Sequence, residues 1–339
     1  MWLLSSSSMI FYPPFVLTSI MGVFIALSST NWFMVWAGLE INMYSFIPLL
    51  LHLDMSKRKE SAAKYFLAQA TGSTLLLMAM LTSYSTQYIS SVMFILAILL
   101  KGGFAPCHFW YPSIMVASSW SICLFLSTIQ KITPALILMN MMPQNQFIMM
   151  FMGLIMILMG GLGGLNQTQL RAIMAYSSIA QMGWITLASQ LSVTLNILML
   201  INYILLVTTI MMIMMFNELT TGSEPLASWG KNSMTKFMIM FQMISLGGVP
   251  PFTGFMFKAM IISILVSKQY ILVALLALLA SLMSLYFYMK VVFLIMFMQP
   301  KNTFYNYYIM TTSQKSITLG VTVLTMFPIL LLIWPWLMT

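Results

Sequence analysis

The chain has 339 residues, of which 61% are hydrophobic and 6% charged, with a mean hydropathy of +0.96. Soluble domains devote about a quarter of their residues to charge, so a soluble enzyme, a disordered chain and a fibre are all excluded for want of polar surface. The net charge of +9 does not indicate a nucleic-acid partner, because Lys57-Arg58-Lys59 is the one basic run and the remaining cations are scattered between apolar segments. The sequence is that of an integral membrane protein.

The opening MWLLSSSSMIFYPPF has neither a basic n-region nor an Arg-rich amphipathic stretch, so no cleavable targeting segment is expected. The 38 methionines are adaptable apolar filler. Their number also fits an AT-rich organelle genome that reads an extra codon as methionine, in which case the chain needs no import. A membrane-spanning helix takes about 20 apolar residues. Eleven such segments are predicted, at roughly 10–29, 32–51, 61–83, 88–105, 118–140, 147–165, 169–190, 193–216, 236–266, 270–297 and 317–337. The fold class is therefore all-α integral membrane, in one polytopic domain. The longest polar stretch, Asn217 to Lys236, is a loop.

Basic residues collect in loops on the inner side of a membrane. With the N-terminus on that side, inner loops and helix ends hold Lys57, Arg58, Lys59, Lys64, Arg171, Lys231, Lys236, Lys290, Lys301 and Lys315, and the outer side holds Lys268. The asymmetry supports eleven spans, an inner N-terminus and an outer C-terminus. Trp32, Trp334 and Trp336 fall at predicted helix ends, as interfacial anchors do.

Lys101, Lys131, Lys258 and Glu40 lie inside apolar spans. Each costs about 2.5–3.5 kcal/mol to place at the bilayer centre, or on the order of 10 kcal/mol together. Snorkelling accounts for Lys64 and Lys290, near helix ends, and less well for the central three. A structural ion pair that pins helices is the other bland account. One acid and three amines in apolar surroundings also suit a proton relay, whose members titrate as a coupled set. No nucleophile–base pair, metal-ligand cluster or phosphate loop accompanies them, and Cys107 and Cys123 are too few and too far apart for a disulfide framework.

The backbone near two of these lysines carries a repeated signal. Lys101 is followed by Gly102-Gly103-Phe104-Ala105-Pro106, and Gly247-Gly248-Val249-Pro250-Pro251 precedes Lys258. Glycine and proline inside a span free backbone groups that must then face protein or a watery cavity. On the predicted topology the two motifs run in opposite directions, which points to antiporter-like inverted repeats with two broken helices. The first repeat covers about 10–140, the second about 147–297, and a terminal helix about 317–337. His108, just past the first break, is a further candidate for passing protons to Lys101. Tyr176, Ser177, Ser178 and Gln181 could order water or bind helices together.

Several segments resemble a known family: Gly38-Leu39-Glu40-Ile41-Asn42 with Ser45-Phe46-Ile47-Pro48, Lys64-Tyr65-Phe66-Leu67-Ala68-Gln69-Ala70, Ala105-Pro106-Cys107-His108-Phe109-Trp110, Gln130-Lys131-Ile132-Thr133-Pro134, Gly163 to Trp184, and Ser245 to Phe255. These are similar to the chain 2 family of mitochondrial NADH–ubiquinone oxidoreductase, among the antiporter-like membrane subunits of respiratory complex I, in its shorter animal form. Cys107 stands where a Phe is usual in that family. The resemblance implies a core membrane-arm subunit of a respiratory-chain proton pump in the mitochondrial inner membrane, N-terminus in the matrix and C-terminus in the intermembrane space. Glu40 and Lys101 match the family's Glu–Lys pair, Lys131 its central lysine and Lys258 its distal one. It further implies chain 4L and chain 4 as neighbours, with FMN, iron–sulfur clusters and ubiquinone held by other subunits and no redox centre here. Bound lipid such as cardiolipin is compatible with the membrane setting. An autonomous cation/proton antiporter or a non-pumping assembly scaffold are the alternatives the four charges leave open.

Overall fold

A computed structural model describes residues 12–51, 56–83, 87–140, 146–216, 233–250 and 252–297. The described chain falls into two compact units that divide after Gln146.

The first unit contains α1 (Tyr12–Ser28), α2 (Trp32–Leu51), α3 (Ser56–Thr82), α4 (Gln87–Gly102), α5 (Trp110–Ala117), α6 (Trp120–Ser127) and α7 (Ile129–Asn140). The second is built from α8 (Gln146–Leu165), α9 (Leu170–Ser189), α10 (Val193–Phe216), α11 (Ser233–Gly247), α12 (Thr253–Ser267) and α13 (Ile271–Phe297). Apolar residues surround most of these helices, so hydrocarbon and protein neighbours are both acceptable environments for their sides. On α13, Leu272, Leu275, Leu279, Leu282 and Phe297 are exposed, while Ala274, Ala277 and Ala280 are buried. Small residues on the inner face permit close helix packing, and large ones meet lipid. The chain is a multi-pass membrane protein.

Ten of the eleven predicted segments coincide with helices, and 317–337 lies outside the described residues. Two features were not predicted. The segment predicted at 118–140 is interrupted at Thr128, whose φ of −111° and ψ of −80° separate α6 from α7. Three donors compete there for one acceptor: the Thr128 hydroxyl at 2.7 Å, the Ser127 hydroxyl at 3.1 Å and the Thr128 N–H at 3.1 Å all reach the Leu124 carbonyl. Hydroxyls bonded back to their own helix loosen its regular ladder, and Pro134 removes another N–H one turn further on. The second is α5, a short helix beyond the predicted break at Gly103, in the stretch between the predicted spans 88–105 and 118–140.

Candidate proton site

Both glycine–proline motifs interrupt helices, and by the same local geometry. Gly103 has φ +64° and Gly248 has φ +80°, the left-handed region where a side chain would be strained. At the first break Phe104 N–H donates to the Leu99 carbonyl at 2.9 Å and Gly103 N–H to Leu100 at 3.2 Å. At the second, Val249 N–H donates to Ile244 at 3.4 Å and Gly248 N–H to Ser245 at 3.2 Å. This 6→1 and 5→2 pairing is the Schellman ending of a helix. It leaves the carbonyls of the last turn to be satisfied by side chains.

The first break sets Lys101 at the end of α4, facing α2. Its Nζ lies 3.0 Å from Glu40 Oε1, with side-chain exposures of 2% and 11%. Breaking such a buried pair leaves a charge uncompensated at about 3–5 kcal/mol, whereas making it gains little, since both ions lose water. Its presence in an apolar bundle is therefore poorly explained by stability. Gln69 on α3 donates its side-chain amide to the Lys101 carbonyl at 2.9 Å.

Lys131 on α7 is 1% exposed and stands beside the same break. Its Nζ is 4.1 Å from the Tyr111 ring centroid and 5.7 Å from that of Phe104. Aromatic faces stabilise an ammonium by about 2 kcal/mol where water is excluded, less than a carboxylate would. The preceding residue, Gln130, donates to Asn42 Oδ1 at 2.9 Å and accepts from the Tyr65 hydroxyl at 3.4 Å. Polar side chains of α2, α3 and α7 thus meet between the Glu40 and Lys131 positions along the chain. Gln130 and Tyr65 are marked in the sequence only as parts of family-like segments, and Tyr111 not at all, because uncharged residues carry no insertion penalty large enough to stand out.

His108 is 2% exposed and its Nδ1 lies 3.2 Å from the Pro106 carbonyl. A carbonyl only accepts, so Nδ1 carries the hydrogen and Nε2 is the nitrogen left to gain or lose a proton. Its ring stacks on Phe109 with centroids 4.6 Å apart.

In the second unit, Lys258 on α12 folds across Gly248. Its Nζ donates to the Gly247 carbonyl at 3.0 Å and reaches the Leu246 carbonyl at 3.5 Å, with the Trp184 ring centroid at 5.9 Å. The partners here are the carbonyl end of α11, the negative pole of a helix. Gln181 on α9 donates to the same Leu246 carbonyl at 3.1 Å. Ser177 and Ser178, by contrast, turn back to Met174 at 2.8 Å and Ala175 at 2.6 Å on their own helix. Among the described residues no three His, Cys, Asp or Glu side chains come together, so the donors present do not fit a metal centre.

The described residues include one buried ion pair, a buried lysine beside aromatic rings and a buried lysine on backbone carbonyls. The transmembrane family model described as "NADH:quinone oxidoreductase/Mrp antiporter" matches residues 81–284. NADH-ubiquinone oxidoreductase chain 2 of Lumbricus terrestris is 42% identical over 284 residues, covering 81% of this chain and 84% of its own length. The chain belongs to the NADH-ubiquinone oxidoreductase chain 2 family. Other chain 2 proteins agree: that of Syconycteris australis is 40% identical over 81% of this chain and 83% of its own, and that of Ovis aries 35% over 91% and 93%. Among solved structures, a chain of respiratory complex I from Thermus thermophilus has a TM-score of 0.85 at 22% identity, over 95% of this chain and 78% of that one. A chain of the Mrp complex from Dietzia sp. DQ12-45-1b has a TM-score of 0.76 at 19% identity, over 83% of this chain and 59% of that one. At such identities the likeness is one of fold.

Proposed function

We propose that this chain is a core membrane-arm subunit of the proton-pumping NADH:ubiquinone oxidoreductase of the mitochondrial inner membrane, and that Glu40, Lys101, Lys131 and Lys258 carry its protons. Membership of the chain 2 family supports the first part, and the Glu40–Lys101 pair, 3.0 Å apart and buried, carries the second. The chain handles protons only; electron transfer from NADH to quinone belongs to other subunits, where FMN and iron–sulfur clusters reside. Its neighbours in the arm are chain 4L and chain 4, its N-terminus faces the matrix, and lipids such as cardiolipin fill its seams.

The relay follows from the inequality of the partners. While Glu40 holds Lys101, the ammonium there is favoured by a full opposite charge. A conformational change driven by quinone reduction that draws Glu40 away removes that charge, and the proton moves on. Lys131 offers an amine held by aromatic faces, and Lys258 one held by carbonyl dipoles. Aromatic faces and carbonyl dipoles hold an ammonium less firmly than a carboxylate at 3.0 Å does, so each site accepts and releases the proton at modest cost. His108, whose Nδ1 is held by the Pro106 carbonyl, takes up a proton at Nε2 and passes it on to the first break. Each unit contains one broken helix, as the inverted-repeat reading expects.

The test is Lys258→Met in the assembled complex, reconstituted into vesicles. The expected result is a lower proton-to-electron ratio with the complex intact. An unchanged ratio would remove Lys258 from the path.

A further inference from the structure

Gln69 and Gln181 make one and the same bond at two separate places. Each donates its side-chain amide to the carbonyl two residues before the left-handed glycine of a break: Lys101 before Gly103, at 2.9 Å, and Leu246 before Gly248, at 3.1 Å. The Schellman pairing at each break satisfies the two carbonyls before this one and leaves it to an outside donor. Hydroxyl side chains nearby do not serve, because Ser73, Ser177 and Ser178 bond to carbonyls three residues back on their own helices. A longer amide reaches across. The two glutamines come from different places in the chain order, Gln69 from α3, one helix before the broken α4, and Gln181 from α9, two helices before the broken α11. A shared ancestral helix position therefore does not account for the coincidence, whereas a shared requirement of the break does.

We propose that Gln69 and Gln181 are positioning residues of the proton path, each fixing the carbonyl end of a broken half-helix where a lysine takes and releases its proton. This rests on the reading of Lys101 and Lys258 as proton carriers. At the first break the clamped carbonyl belongs to Lys101 itself, so the Gln69 bond sets where that side chain starts and how its Nζ meets Glu40. At the second, the Leu246 oxygen is shared: Gln181 donates at 3.1 Å and Lys258 Nζ stands at 3.5 Å. A carbonyl has two lone pairs and holds both donors. Once Lys258 gives up its proton, Gln181 keeps the oxygen aimed at the break, ready to receive the next ammonium. Without that bond the carbonyl turns, and the site must reorganise in every cycle. Both glutamines are buried, at 5% and 9% exposure, in positions where an apolar side chain would insert more favourably.

The experiment compares Gln69→Leu and Gln181→Leu, which remove the donor, with Gln69→His and Gln181→His, which retain a ring N–H at similar reach. Each is read in the assembled, reconstituted complex as NADH oxidation coupled to vesicle acidification, beside Lys258→Met. The leucine variants should lose about five- to tenfold in coupled turnover, the weight of one buried hydrogen bond, and histidine should restore most of it. Leucine variants that assemble and pump at the normal rate overturn the proposal. If they fail to assemble, the histidine variants decide: normal coupling supports the proposal, and failed assembly or weak coupling overturns it. Should Lys258→Met pump normally, the reading of the lysines fails; should it pump poorly while the leucine variants pump well, only the positioning role fails.

Discussion

Replacing Glu40 with glutamine removes one charge while keeping the size and an acceptor oxygen. The pair lies 3.0 Å apart with side chains 2% and 11% exposed. Two unit charges at that separation interact by about 5–6 kcal/mol at an effective dielectric constant near 20. The glutamine oxygen still accepts a hydrogen bond from Lys101, which returns about 1 kcal/mol. The net loss is about 4 kcal/mol, inside the range of roughly 3–5 kcal/mol for breaking a buried pair. That is close to a thousandfold in an equilibrium constant at the first stage of the proposed relay. The assay is acidification of vesicles containing the assembled Glu40→Gln complex, measured per NADH oxidised, with a fall in coupled turnover of at least about tenfold expected. Lys101→Met supplies the second arm. If the two residues act as a unit, the double variant is no worse than Lys101→Met alone. Normal pumping by Glu40→Gln, or a double variant whose losses simply add, would refute the reasoning.

Other expectations follow from contacts elsewhere. Tyr111→Leu removes the ring 4.1 Å from Lys131 Nζ; a loss of about 2 kcal/mol in holding the ammonium should slow coupled turnover on the order of tenfold, read in the same vesicle assay. Gly248→Ala forces a side chain into a φ of +80° and places a methyl 2.9 Å from Lys258 Nζ. It should cost about 1–2 kcal/mol in backbone energy and displace Lys258 from the Gly247 carbonyl, lowering both the thermal stability of the complex and its proton-to-electron ratio. Gly160→Ala sets a methyl 2.6 Å from the Ala180 backbone nitrogen and 2.8 Å from the Tyr176 carbonyl. Backbone atoms cannot rotate away, so α8 and α9 must part; a loss of about 1–3 kcal/mol is expected as a lower melting temperature of the complex, with pumping by the surviving fraction unchanged.

Charge made the main residues legible. In a sequence with so few ionised groups, Glu40, Lys101, Lys131 and Lys258 stand out because each bears a large insertion cost. The structure adds that all three lysines are buried in protein, which disposes of snorkelling for them. The breaks were legible too, since glycine next to proline inside a span has few other uses. Most of the neutral partners of these groups were not legible. Gln69, Gln130 and Tyr111 resemble any other residue of an apolar helix until the fold shows a carbonyl, an amide or an ammonium beside them. The interruption at Thr128 escaped for a related reason: Ser and Thr are ordinary within membrane helices, and only their crowding on the Leu124 carbonyl marks the spot. Hydropathy counts side chains one at a time, while these features depend on pairs.

The central claim is that an uncharged membrane interior holds these lysines because they move protons. Lys131 tests it most directly: it is 1% exposed, and the structure shows its ammonium against aromatic rings. The decisive measurement is the proton-to-electron ratio of the reconstituted complex carrying Lys131→Met. Lys64→Met serves as the control, because Lys64 is half exposed and pairs with Glu60 at a helix start. A reduced ratio for Lys131→Met and a normal one for Lys64→Met are expected. A fully assembled Lys131→Met complex that pumps at the normal ratio would contradict the account.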